Sequence, residues 1–201
     1  VVGIAIGTVL LPDLSRRLRS GDEAGGRDSF NRGTEFALAL TLPAAVALMV
    51  ISLPLTSVLY QRGAFGADDT AATALALAIY GAGLPAFVLH KVYQPLYYAR
   101  EDSRSPFRFA LISMILNAAI AFGLMPYIGF AAAALATTLA GWIMALQLWL
   151  GTRKMGDAAR FDTRFRSRAP RIIVASAIMG LVLYFGQAVL GDMLASRGWR
   201  F

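Results

Sequence analysis

Four long stretches of this sequence carry no charged side chain: Phe36–Gln61, Thr70–Leu89, Phe109–Thr152 and Ile172–Gly191. An α-helix rises about 1.5 Å per residue, so about 20 apolar residues cross a hydrocarbon core about 30 Å thick. The first, second and fourth stretches each fit one crossing. The third is about twice the length one crossing requires. It contains Met125-Pro126-Tyr127-Ile128-Gly129, a Pro/Gly punctuation that reads as a tight turn. We therefore divide it into 109–125 and 129–150, a transmembrane hairpin. Helices of a large soluble core would be shorter and would each show one polar face; these segments are apolar all round. Charged residues make up 15% of the chain, against about 25% in soluble domains, which excludes disorder, a coiled coil and a nucleic-acid-binding tail.

The expected fold class is all-α integral membrane, a polytopic transmembrane helix bundle forming one membrane domain. Its helices are expected at about 1–12, 36–60, 70–98, 109–125, 129–150 and 172–190. Val1–Pro12 is apolar but would span only about 18 Å as a helix. With no initiator Met and no basic leader, it reads as the end of a sixth helix in a fragment, beside five full spans.

Basic residues fix the orientation, because positively charged loops stay cytoplasmic. Most of the 19 basic residues fall in three alternate segments. Segment 13–35 carries Arg16, Arg17, Arg19, Arg27 and Arg32. Segment 100–108 carries Arg100, Arg104 and Arg108. Segment 151–171 carries Arg153, Lys154, Arg160, Arg164, Arg166, Arg168 and Arg171. These three are expected to be cytoplasmic loops. The connections between them hold only Arg62 and the uncharged 126–128 turn, and the tail holds Arg197 and Arg200. The alternation accounts for the pI of about 10.2. Short basic juxtamembrane loops mixed with acids suit anionic lipid headgroups, not nucleic acid. Segments 13–35 and 151–171 each have room for a short interfacial helix. Asp28-Ser29-Phe30-Asn31 is placed to cap the helix that follows, while Gly21, Gly25 and Gly26 argue against a helix across the whole of 13–35.

The second full span holds the most informative residues. Pro85 removes a backbone hydrogen bond and invites a kink. Lys91 is the only lysine within an expected span. A charge at that depth is either functional and paired or snorkels to the headgroups, and the sequence leaves both readings open. His90 cannot share its face, because helix neighbours differ by about 100°; it reads as packed or interfacial. Pro43 and Pro54 either bend the first span or mark its ends. Ser113 and Asn117 share a face and are expected to bond a neighbouring helix, and Gly129, Ala133, Thr137, Gly141 and Ala145 form a small-residue stripe suited to helix packing.

The search for catalytic chemistry is negative. There is no cysteine and one histidine, which excludes a disulfide frame, a cysteine nucleophile and a multi-histidine metal centre. No Walker-type phosphate loop and no Gly-x-Ser-x-Gly elbow occurs. The acid pairs Asp68-Asp69 and Glu101-Asp102 lie in polar loops. No catalytic residue, metal site or cofactor is expected.

Several stretches match one known family. Val2-Gly3-Ile4-Ala5-Ile6-Gly7-Thr8-Val9-Leu10-Leu11-Pro12-Asp13-Leu14-Ser15-Arg16 resembles the end of the eighth helix of the MurJ (MviN) lipid II flippases. Leu59-Tyr60-Gln61-Arg62-Gly63-Ala64-Phe65 is similar to their next external loop. Lys91-Val92-Tyr93-Gln94-Pro95-Leu96-Tyr97-Tyr98-Ala99-Arg100-Glu101-Asp102-Ser103-Arg104-Ser105-Pro106 resembles the end of their tenth helix and the following cytoplasmic loop. The resemblance covers nearly the whole chain. It implies the C-terminal lobe of an exporter of the multidrug/oligosaccharidyl-lipid/polysaccharide superfamily, from the end of helix 8 through helix 13. It also implies a multi-pass protein of the bacterial cytoplasmic (inner) membrane. Its implied activity is alternating access that moves a lipid-linked peptidoglycan precursor to the periplasmic leaflet during cell wall biosynthesis. The family's cavity arginines fall before Val1. What carries over is Lys91 as a substrate-pathway residue, and 172–190 as part of a groove for the lipid tail. The implied partners are the lipid-linked oligosaccharide, membrane lipids, and the N-terminal lobe and final helix of the same protein; the fragment should not transport alone. The coupling ion or energy source is not legible. Competing functions are another polysaccharide-lipid flippase or drug exporter of the superfamily, a membrane-embedded transferase, and a non-transporting scaffold. A transferase would need clustered acids or histidines at a membrane face.

Overall fold

The computed structural model of the chain describes residues 2–196. Its helices are α1 (Val2–Arg19), α2 (Glu23–Val50), α3 (Ser52–Tyr60), α4 (Ala67–Tyr98), α5 (Arg104–Ile128), α6 (Ala131–Thr152) and α7 (Thr163–Ser196), with a 3-10 turn at Asp157–Ala159 before α7. Five stretches are long and apolar enough to cross a membrane: α2, α4, α5, α6 and the segment Asp157–Gln187 that carries most of α7. They coincide with the five full spans read from the missing charges. Arg197 and Arg200 lie outside the described residues.

Several helix ends differ from expectation, most of them by extension at the basic ends. Segment 13–35 is not a loop. It is the end of α1 and the first turns of α2, joined through a short turn at 20–22 in which Gly21 takes φ +77°. The glycines do not break α2. Gly26 is buried, and a Cβ there would lie 3.2 Å from the Leu18 side chain and 3.4 Å from Ala158, so its bareness permits a close crossing that offsets its poor propensity. The cap is Asp22, whose carboxylate accepts from the Gly25 amide at 2.8 Å. Asp28 instead pairs with Arg32 at 2.9 Å.

Segment 151–171 is shorter as a loop than expected, because α7 starts at Thr163. The Asp162 carboxylate accepts from the Phe165 amide at 2.6 Å, which makes the basic run 164–171 helical. The α5–α6 connection begins later than expected: α5 continues through Pro126 to Ile128, and Gly129 makes the turn with φ +56°. In the first span the helix breaks at Ile51. Pro54 has no N–H for the Val50 carbonyl, and it sits in the first turn of α3, where no such bond is needed.

Helix α4 is the axis of the lobe, with α6, α2, α1 and α3 packed on it; α5 packs chiefly on α6, and α7 on α2. Small residues permit the approach. A Cβ on Gly81 would lie 3.0 Å from Leu48 Cβ and 3.4 Å from the Ala45 carbonyl of α2. A Cβ on Gly83 would lie 3.0 Å from Thr138 of α6. The stripe from Gly129 to Ala145 packs only in part. Residues four apart advance by about 40° on a helix, so the stripe spirals. Ala133 stays exposed, Thr137 meets Asn117 of α5 at 3.4 Å, and Gly141 and Ala145 are buried. Asn117 thus bonds a neighbouring helix as expected, whereas the buried Ser113 hydroxyl finds no partner.

Enlarging Gly81 tests the close α2–α4 contact. Gly81→Leu in the full-length protein is expected to cost about 1–3 kcal/mol by overpacking and to lower the melting temperature in detergent. Gly123→Leu, on the open face of α5 where a Cβ meets nothing within 4 Å, leaves it unchanged. Equal melting curves for the two variants would contradict this packing.

Candidate substrate face and cytoplasmic clamp

Two features could serve transport: the face of α4 that carries Lys91, and the ring of polar contacts at the basic ends of the helices. Along α4, exposed Tyr80, Lys91 and Tyr98 and half-buried Leu84, Phe87 and Gln94 recur at helical spacing and form one face, polar in its second half. Residues on either side of Lys91 point inward. Val92 is fully buried, and buried His90 reaches α6, where its Nε2 lies 2.7 Å from the Gly141 carbonyl. A carbonyl only accepts, so Nε2 carries the proton. His90 is therefore a packed residue.

Lys91 is exposed and makes no ion pair or hydrogen bond among the described residues. Its backbone sits in the α1–α4 crossing, where a Cβ on Gly7 would lie 3.3 Å from the Lys91 carbonyl. Pro95 has no N–H to offer that carbonyl, so the helix lacks its usual donor at this crossing. Along α4, Lys91 lies about 13 Å before Arg100. It is not among the residues lining the cavity of about 450 Å³ between α1 and α2, which is walled by Val9, Leu10, Asp13, Ser29, Arg32, Gly33 and Phe36.

The polar ring was not legible as a site. Glu23, in the first turn of α2, accepts from Arg100 Nη2 at 3.0 and 3.2 Å and from the Ala158 amide at 2.9 Å. One carboxylate thus joins α2, the end of α4 and the turn before α7. Buried Asn31 makes a second junction, donating to the Arg160 carbonyl at 2.9 Å and accepting from the Asp162 amide at 3.2 Å. Asp13 ties α1 to α2. The Ser29 hydroxyl donates to it, with Arg16 and Arg17, and together they hold its carboxyl at about 2. Asp102 is held below the usual carboxylate range by hydrogen bonds from Ser105 at the start of α5. Among the described residues, no group of three His, Cys, Asp or Glu side chains could hold a metal ion. These contacts fix helix ends to one another and supply no nucleophile–base pair.

The clamp predicts energetic coupling between distant positions. In a double-mutant cycle on the full-length protein, Glu23→Ala and Arg100→Ala are expected to couple by about 1 kcal/mol, read from thermal unfolding. Strict additivity would show that the pair is not formed.

The chain is similar to one protein family along its length. The family model described as "Lipid II flippase MurJ" matches residues 1–195. Probable lipid II flippases MurJ of Rhizobium meliloti and Rhizobium tropici are 46% and 44% identical to it, over 98% and 92% of the chain. The chain spans about a third of their length, 36% and 34%. A solved structure titled "Lipid II flippase MurJ, inward closed conformation" superposes with a TM-score of 0.68 at 23% identity, over 96% of this chain and 44% of that one, and shares its fold. The order of spans, the basic helix ends and these matches have one conclusion: the chain belongs to the lipid II flippase MurJ family.

Proposed function

We propose that this chain is a lobe of a flippase that moves a lipid-linked peptidoglycan precursor from the cytoplasmic to the periplasmic leaflet of a bacterial inner membrane by alternating access. The observation that carries the reading is membership of the family over 1–195. The architecture supports it. Alternating access needs lobes that rock as units around a central site, and α4 is bonded to α6 by side chains along its length. Thr138 donates to the Ile79 carbonyl at 2.9 Å, Trp142 to Ala82 at 3.0 Å and Tyr97 to Leu148 at 2.6 Å. With the clamp at the basic end, these bonds make a body that moves whole.

In this reading Lys91 contributes positive charge to the substrate pathway on the cytoplasmic side of the lobe. A cation facing a cavity of low dielectric attracts the diphosphate of a lipid-linked sugar more strongly than it would in water. The full-length parent is expected to restore peptidoglycan synthesis in cells depleted of their own flippase. Lys91→Ala is expected to abolish that complementation, and Lys91→Arg to retain part of it, since Arg keeps the charge with a different shape and hydration. Protein levels are to be matched by immunoblot. Normal complementation by both variants would remove Lys91 from the pathway. Failure of the correctly inserted parent would overturn the flippase reading itself.

A further inference from the structure

We propose that the cavity between α4 and α6, on the side of α4 away from Lys91, binds one acyl chain of a bilayer glycerolipid, whose ester carbonyl accepts a hydrogen bond from the Tyr93 hydroxyl. Leu89 and Tyr93 of α4, Trp142, Leu146 and Trp149 of α6, and Phe161 before α7 line this cavity of about 280 Å³. Tyr93 is 5% exposed, and its hydroxyl makes no hydrogen bond among the described residues. A buried donor without a partner is costly. The Trp142 indole N–H is already used, by the Ala82 carbonyl at 3.0 Å. Tyr93 thus brings an unused donor to a wall that is mainly apolar, and a hydrocarbon chain with one acceptor near its end matches that wall. The site is held in shape by stacked rings. Phe161 lies 4.5 Å from Phe165 of α7 and 6.0 Å from Phe30 of α2, and Phe30 lies 5.5 Å from Tyr93, centroid to centroid.

Position selects the occupant. The uncharged stretch Thr70–Leu89 makes one crossing, and Tyr93 lies about one turn beyond its end. Trp149 lies about one turn before Arg153, whose guanidinium sits 4.1 Å over the Trp149 ring. Both mark the boundary between hydrocarbon and headgroups, where Tyr and Trp are favoured and where the ester carbonyls of glycerolipids lie. Leu89 and Tyr93 are each two residues from Lys91, about 160° from it around the helix, so the cavity faces away from the candidate substrate face. It opens instead beside exposed Leu139, Trp142, Leu146 and Leu150, which recur at spacings of three and four and continue the hydrocarbon-facing surface of α6. None of its lining residues is charged, so the ester and not the headgroup is what the site reads. The inference uses the membrane placement of the helices, goes beyond the flippase reading and is independent of what the protein transports.

The test is native mass spectrometry of the purified full-length protein in competition between a diester phosphatidylcholine and the diether phosphatidylcholine of the same chain length, which lacks the carbonyls. The diester should bind about fivefold more tightly, the worth of one neutral hydrogen bond. Tyr93→Phe should abolish that preference. It should leave the melting temperature in lipid-free detergent unchanged, because the hydroxyl it removes has no protein partner. Tyr97→Phe removes a hydroxyl already committed to the Leu148 carbonyl at 2.6 Å; it should lower the melting temperature and keep the preference. Equal binding of the two lipids by the unmodified protein would overturn the proposal. A preference that survives Tyr93→Phe would overturn it too, by placing the carbonyl on another donor such as Trp149. So would a fall in melting temperature on Tyr93→Phe without lipid, which would show that the hydroxyl is bonded within the protein.

Discussion

Hydrocarbon offers no partner for a backbone amide or carbonyl, and that constraint decides most of this structure. It explains why the charge-free stretches are helices and why loops are confined to the ends. It also explains how the prolines are accommodated. Pro85 and Pro95 leave the Gly81 and Lys91 carbonyls of α4 without their usual donors. They fall where α4 is closely covered, by α2 at Gly81 and by α1 at Lys91. Side chains of α6 bond other carbonyls of the same helix. In α4 the breaks in the ladder occur where neighbouring protein surrounds them.

At the basic end the balance changes, because water and headgroups are available. There the helices extend beyond the apolar region and are joined by carboxylates, of which Glu23 and Asp13 each accept from more than one element. Glu23 bridges to residues 77 and 135 positions away in sequence. One of the basic residues at these ends has a structural use: Arg100 is a strut to Glu23 of α2.

The spans were legible because the absence of charge over about 20 residues is a long-range signal that no local exception cancels. Helix ends were not, because Gly25 and Gly26 read as breakers unless the crossing with Leu18 and Ala158 is known. The four-residue stripe was half legible: Gly141 and Ala145 are buried and Thr137 meets Asn117 of α5, but helical drift leaves Ala133 exposed. Lys91 was visible as an intramembrane cation, and its neighbour Gly7 was not. Glu23, Asn31 and Asp13 looked like solvated loop residues, since nothing local distinguishes a carboxylate that will meet a partner across the fold.

The central claim is that these helices cross a membrane with their basic ends in the cytoplasm. The chain contains no cysteine, so single cysteines in a full-length cysteine-free protein report it directly. Ala64→Cys lies between α3 and α4, and Ser167→Cys in the first turns of α7; both positions are exposed. In intact spheroplasts, a membrane-impermeant maleimide is predicted to label Ala64→Cys at once and Ser167→Cys only after the membrane is permeabilised. Labelling of both, or of Ser167→Cys alone, would contradict the account.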